Sequence, residues 1–202
     1  MFIRRYTNFW DGLFRPSKTH ILGSGEVKTL TNLVSNGNFV NATGWIATLA
    51  SQSVASNEIS VTASAQYGNT TQIISADGVA YRNHVVFFGA WIKATHTSVA
   101  LICNDGKSQL IVYPTVTGAY QYISGLYTVQ PDATKLNFVL MDRSSGSFVA
   151  QKMKYATCVD LTAAFGAGNE PTQTDYENWI ATQSNSWFDT TANYLANTNQ
   201  WF

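Results

Sequence analysis

From Asn32 onward, apolar and polar residues alternate in short runs separated by turn-forming residues, the period-two rhythm of half-buried β-strands. The runs predict strands over Glu58–Ala63, Thr70–Ser75, His84–Ala94, Ser98–Cys103, Gln109–Tyr113, Tyr120–Val129, Lys135–Met141 and Phe148–Val159. Asn104-Asp105-Gly106, Ser144-Ser145-Gly146 and Pro131-Asp132-Ala133 punctuate them as turns. Eight short strands with no helix between them describe an all-β sandwich or jelly roll. In the strand from His84 to Ala94, alternation puts Val86, Phe88, Ala90, Ile92 and Ala94 on one wholly apolar face, which should meet the core. Val85, Phe87, Gly89, Trp91 and Lys93 fall on the other.

The rhythm breaks at both ends. After Val159 and Leu161, Gly166 and Gly168 give the backbone freedom for a tight loop, and Pro171 suits the first turn of a helix. Thr172 with Asp175 is a weak capping pattern, and Tyr176, Trp179 and Ile180 recur at helical spacing. One short C-terminal helix is therefore expected over about 172–183, its aromatic side packed on the sandwich. Residues 1–31 have no clear period. They carry Arg4, Arg5, Arg15, Lys18 and Lys28 against Asp11 and Glu26, together with Phe2, Tyr6, Phe9, Trp10 and Phe14. Gly23-Ser24-Gly25 reads as a flexible joint behind them. This predicts an N-terminal extended arm over 1–31, a domain over 32–190 and a C-terminal tail over 191–202. Rings without a partner of their own must be buried elsewhere, so Phe9, Trp10 and Phe14 are expected to fill pockets of another subunit, with Arg4 and Arg5 at the rim.

Composition narrows the function. Of 202 residues, 45% are apolar, enough for a packed core, and only 12% are charged. Twelve basic and twelve acidic residues cancel, so the footprint of a nucleic-acid binder is missing. No apolar run approaches the ~20 residues of a membrane span, and the first thirty residues form no signal-peptide core. The chain is expected to fold in the cytoplasm and not to insert in a membrane. Cys103 and Cys158 lie on separate strands with no metal-ligand spacing and read as buried free thiols. No catalytic motif stands out: His20, His84 and His96 lack a paired nucleophile motif, and nothing cradles a phosphate. Asn169-Glu170-Pro171 matches the acid/base tripeptide of barrel glycosidases. Those barrels need about 250 residues and a second carboxylate roughly 5–10 Å away, so Glu170 reads as a helix-start residue. The chain is expected not to be an enzyme.

Two motifs carry a family resemblance. Asp160-Leu161-Thr162-Ala163-Ala164-Phe165-Gly166-Ala167-Gly168-Asn169-Glu170-Pro171-Thr172, followed by a helix and Trp187-Phe188-Asp189, resembles a C-terminal signature of bacteriophage tail and virion proteins. Asn32-Leu33-Val34-Ser35-Asn36-Gly37-Asn38-Phe39 with Gly44-Trp45 resembles the opening of carbohydrate-binding-module-like jelly rolls. Together they bracket about residues 32–190 and imply a galactose-binding-like jelly-roll β-sandwich in a virion. The resemblance implies a structural or decoration protein of the tail, baseplate, fibre or capsid surface, attached through its arm to other virion proteins and forming a homo-oligomer. The alternative it implies is a module that binds host cell-surface polysaccharide during adsorption. It also raises structural calcium, but Val40 stands where the opening motif would supply a glutamate and Lys154 or its neighbours where the last strand would supply an aspartate. Asp160 alone falls short of the usual 6–8 oxygen ligands, so no cofactor is expected.

For glycan binding the resemblance points to exposed aromatics. Trp91 on its non-core face would stack on a sugar ring, with Tyr67 and Tyr113 near strand ends as further candidates. Trp45 is expected in the core.

Overall fold

The computed structural model describes residues 27–146 and 148–195. In chain order the elements are β1 (Val27–Thr31), β2 (Trp45–Thr48), β3 (Ala50–Ala55), β4 (Glu58–Ala63), β5 (Asn69–Ser75), β6 (Val85–Lys93), β7 (Val99–Asn104) and β8 (Gln109–Val112). They continue with β9 (Tyr120–Thr128), β10 (Leu136–Asp142), β11 (Gln151–Asp160), α1 (Leu161–Phe165), α2 (Gln173–Ile180) and β12 (Thr191–Leu195). Sheet I has the strand order β2-β5-β10-β7-β8 and sheet II the order β3-β4-β11-β6-β9; every pairing within them is antiparallel. The fold is an all-β jelly-roll sandwich. The predicted arm residues Arg4, Arg5, Phe9, Trp10 and Phe14 lie outside the described residues.

The core forms where the inner faces meet, and alternation decides its membership. Val86, Phe88, Ala90 and Ile92 of β6, Ile59 and Val61 of β4 and Met153 of β11 pack against Val99, Leu101 and Cys103 of β7 and Leu136, Phe138 and Leu140 of β10. The face assigned to β6 from its sequence is thus the buried one. Trp45 joins the core edge-on to Phe138, with ring centroids 5.9 Å apart. Cys103 and Cys158 are buried free thiols, and burial pushes both well above the usual thiol range.

Four strands and a helix go beyond the expected elements. β2 follows directly on the Gly44 turn, and β3, with the sequence Ala-Ser-Gln-Ser-Val-Ala, has almost no apolar contrast because it is an edge strand. β1 and β12 pair with each other in a two-stranded ribbon, so the compact unit runs from Val27 to Tyr194. The loop expected after Val159 begins with α1, a single helical turn or so, whose N-cap Asp160 accepts from the Ala163 N–H at 2.9 Å. Gly166 and Gly168 then adopt φ of 85° and 80°, as the tight turn requires. The helix expected over 172–183 is α2, capped by Thr172, whose Oγ1 accepts from the Asp175 N–H and donates to the Asp175 carboxylate.

The opening motif has a mechanical role at the junction of these parts. The Asn32 side chain donates to the Ala156 and Phe188 carbonyls, both at 3.2 Å. Its Oδ1 accepts from the Val34 N–H at 3.1 Å and the Cys158 N–H at 3.0 Å. One buried amide thereby ties the chain start to β11 and to the C-terminal segment, with all its hydrogen-bonding capacity used. Gly37 approaches β11 so closely that an added Cβ would lie 2.2 Å from the Ala156 carbonyl oxygen.

Replacing Asn32 by Ala strands two buried N–H donors and the Phe188 carbonyl, while the Ala156 carbonyl keeps the Trp187 N–H, at an expected cost of ~3 kcal/mol. Asp132→Ala, which removes an exposed ion pair with Lys107, should stay within ~0.5 kcal/mol of the parent. Urea unfolding of both variants measures the difference; equal midpoints would show that Asn32 does not hold the ends together.

Candidate functional site

A sandwich has two outer faces, and here they differ. On sheet II the C-terminal segment folds back over the strands. Tyr176 of α2 stacks on Phe87 with centroids 4.2 Å apart, and Ser124 Oγ donates to Glu177 at 2.6 Å. Beyond α2, Trp91 Nε1 donates to the Asn185 carbonyl at 2.9 Å, and Trp187 Nε1 to the Ala156 carbonyl at 3.0 Å. Phe87 is fully buried as a result, although it points away from the sandwich core. Trp91 is half-buried, strapped along its N–H edge and set against Tyr122 at 5.7 Å. Trp179, Phe188, Tyr194 and Phe165 extend this aromatic cluster toward the ribbon.

Sheet I has no aromatic strap of this kind among the described residues, although Ala100, Ile102 and Val139 on its outer side are buried. Its outward positions are Asn69, Thr71 and Ile73 of β5, Asn137, Val139 and Met141 of β10, Ala100, Ile102 and Asn104 of β7, and Gln109 and Ile111 of β8, all opposite in parity to the core residues. Register sorts them into rows across the strands. Asn137 stands between Ile73 and Asn104, and Asn104 opposes Gln109. In the next row Val139 stands between Thr71 and Ile102, with Ile111 beyond. Met141 then stands between Asn69 and Ala100. An amide row thus lies beside an apolar one.

Most of them, with Lys135, line an open groove of about 190 Å³, and none of the lining residues is acidic. Within it, Asn137 Oδ1 is buried with no hydrogen-bond partner among the described residues. Buried polar atoms are normally paired, so a ligand donor at this spot would remove a standing cost. Asn104 is held in place by accepting from the Gly106 N–H at 3.0 Å and donating to Gln109 at 3.3 Å. The end of the groove is fixed by Asp105, fully buried in the β7–β8 turn. Its carboxylate accepts from the Tyr127 hydroxyl at 2.6 Å and from the N–H groups of Ser108 at 2.7 Å, Lys107 at 2.8 Å and Gln130 at 2.8 Å. Burial acts against its charge, but the Tyr127 hydroxyl and the three N–H groups outweigh it and hold the carboxyl below its usual range. Its own carbonyl accepts from the N–H groups of Thr134 and Lys135, joining the turn to the strand that carries Asn137.

Of the aromatics singled out from sequence, Trp91 lies on the covered sheet, while Tyr67 and Tyr113 border the open one. Tyr67 precedes β5, is 48% exposed and lies under the Arg143 guanidinium at 5.7 Å. Tyr113 follows β8 on the parity of Gln109 and Ile111 and is 43% exposed. The amides between them were not signalled by any motif. They are spread from Asn69 to Asn137, and only the register brings them together.

The remaining sequence candidates have structural tasks. Glu170 accepts from Thr162 Oγ1 at 2.5 Å and from the Gly168 N–H at 2.7 Å, closing the loop between α1 and α2. Burial opposes its charge, yet the Thr162 hydroxyl and backbone N–H groups hold the carboxyl below its usual range. Asp160, the remaining candidate for calcium, caps α1 and pairs with His84 Nδ1 at 2.7 Å. Val40 is exposed, and no group of three or more His, Cys, Asp or Glu side chains suited to a metal ion occurs among the described residues.

No protein-family model matches the chain, and no curated protein matches it in sequence. Among solved structures it is similar to the enzymatically active domain of tailspike protein 4 of bacteriophage CBA120, at 17% identity and a TM-score of 0.49, covering 63% of this chain and 21% of that one. It is also similar to the first family 22 carbohydrate-binding module with the glycoside hydrolase module of Clostridium thermocellum xylanase 10B, at 14% identity and a TM-score of 0.47 over 64% of this chain and 28% of that one. A family 16 carbohydrate-binding module is similar at 21% identity and a TM-score of 0.45, over 64% of this chain and 100% of that one. The chain thus spans about a fifth of the tailspike domain's length.

The depressed Asp105 carboxyl sets a pH dependence. Because the folded state binds this proton less readily than the unfolded state, Asp105 contributes stability above the ordinary aspartate pKa of ~3.9, lost as pH falls through the lower folded value. Asp105→Asn should melt lower at pH 7 and lose less stability on acidification below about pH 4 than the parent. Parallel pH–stability curves would refute this role for Asp105. A second expectation concerns the strap: Trp91→Phe deletes the donor to Asn185 while keeping the ring, so hydrogen exchange over residues 181–188 should quicken while the sandwich amides stay protected.

Proposed function

We propose that this chain is a non-catalytic glycan-binding domain that uses the open groove of sheet I. The observation that carries the reading is the buried, unpartnered Asn137 Oδ1 within a groove otherwise lined by amides and an apolar strip. A sugar ring offers hydroxyls that both donate and accept, and an apolar face of C–H groups. Carboxamides likewise donate and accept, so Asn69, Asn104, Gln109 and Asn137 match the hydroxyls, while Met141, beside the buried Ile102 and Val139, matches the ring face. At about 190 Å³ the groove is smaller than the ~300–1,000 Å³ of pockets that engulf a compact ligand. It suits one side of an extended chain. A polypeptide would more readily pair along a strand edge, whereas this groove spans the middle strands of the sheet.

The virion setting rests on the resemblance of Asp160–Thr172 and Trp187-Phe188-Asp189 to the C-terminal signature of phage tail proteins. Within that setting we favour receptor or capsule recognition over a purely structural or decoration part, because a connector has no use for a groove in which outward amides lie beside an apolar strip. Attachment through the arm over 1–31 and assembly as a homo-oligomer belong to the same proposal, motivated by the arm's aromatic density and basic charge.

Purified protein on an array of bacterial surface and plant polysaccharides should bind a subset of glycans. Asn137→Ala should weaken binding to any of them by about tenfold, or ~1.4 kcal/mol, without altering the melting temperature. Binding to no glycan, or binding indifferent to Asn137 and Asn104, would refute the reading.

A further inference from the structure

The part of sheet II that α2 leaves open gathers cations and aromatic rings. Lys152 of β11 stands directly opposite Lys93 of β6, and Lys93 opposite Tyr120 of β9. Two residues along, Lys154 stands opposite Trp91. All point away from the core, since their neighbours Met153, Ile92 and Ile123 are buried in it. Like charges facing each other across adjacent strands are destabilising, so the fold gains nothing from the Lys93–Lys152 pair. The one carboxylate among them, Glu58, is already used: it takes the Lys152 ammonium and the Tyr120 hydroxyl. Lys154 lies over the Tyr120 ring at 4.1 Å and near the Tyr155 ring at 5.6 Å. Lys93 has no ion-pair or hydrogen-bond partner among the described residues. Three of the chain's twelve basic residues therefore share one carboxylate on a protein with no net charge.

A second observation comes from the backbone. Between Lys154 and Thr157 the register of β11 on β6 shifts, and within this bulge Tyr155 takes φ of 56°. A left-handed conformation is costly for a bulky residue, and bulges re-aim side chains. Here the bulge sets the Tyr155 ring beside Lys154 and 5.9 Å from the Trp187 ring. The C-terminal strap thereby forms one wall of the cationic corner, and Trp91 the floor beside it.

From this we infer that the Lys93–Lys154–Tyr155 corner of sheet II is a second binding site, for a carboxylated saccharide of the uronate type. Lys93 and Lys154 would receive the carboxylate, and the tyrosine faces the C–H side of the ring. A lysine ammonium receives a carboxylate or a phosphate alike, but three cations with one counter-carboxylate are few for a nucleic-acid backbone. The site lies on the opposite face from the sheet I groove and stands independently of it.

Isothermal titration of the full chain at low salt with hexagalacturonate, its methyl-esterified form and a thymidine hexanucleotide tests the assignment. Hexagalacturonate should bind, weaken as salt rises, and lose about tenfold in affinity on methyl esterification or in Lys93→Gln/Lys154→Gln. Lys93→Arg should retain binding, as should Asn137→Ala, which touches only the groove. Circular dichroism confirms that each variant is folded. The inference is overturned by absence of hexagalacturonate binding, by equal binding of the ester, by indifference to the double substitution, by loss of uronate binding in Asn137→Ala, or by tighter binding of the hexanucleotide.

Discussion

The stacking of Tyr176 on Phe87 decides which side of this sandwich meets solvent. A jelly roll has two outer faces, and an apolar residue on either is a liability unless something covers it. Here β6 places Phe87 and Trp91 outward, and the chain supplies its own cover: α2, the 184–186 turn and Trp187 lie across sheet II and fasten to it through side-chain donors. The cover in turn depends on Asn32, whose amide joins the Phe188 carbonyl to β11. With sheet II largely closed by the same chain, the groove of sheet I is the proposed ligand face.

The two faces then follow different chemistry. Sheet I presents neutral amides beside aliphatic side chains, anchored at one end by a buried carboxylate whose hydrogen bonds are all internal. Sheet II leaves open only a corner, and there lysines and aromatic rings dominate. Three of the twelve basic residues of this chain stand there, and the facing Lys93 and Lys152 are a cost to folding.

Most of this architecture could be read from the residues, and the limits of that reading are physical. The eight strands with strong apolar alternation, the burial of Trp45, the core face of β6 and the Thr172 cap all follow from local pattern. β3 did not, because an edge strand of small polar residues has too little contrast to show a period. β1 and β12 did not, because each pairs only with a strand more than 150 residues away. α1 was masked by the glycines that end it. For the candidate site the limit is sharper. Alternation shows that Asn69, Asn104 and Asn137 point outward, but only the register of β10 between β5 and β7 makes them neighbours. The aromatic candidates were visible as residue types, whereas the cover over Trp91 depends on where α2 docks.

The account rests on sheet I being the ligand face, and mapping side-chain amide resonances by NMR during titration with a neutral oligosaccharide selected from a glycan screen tests that most directly. The account predicts that the carboxamide signals of Asn69, Asn104, Gln109 and Asn137 shift together and saturably, with those of Asn32 and Gln151, buried elsewhere, unmoved. Shifts confined to sheet II or to the C-terminal segment, with the sheet I carboxamides silent at saturation, would contradict it.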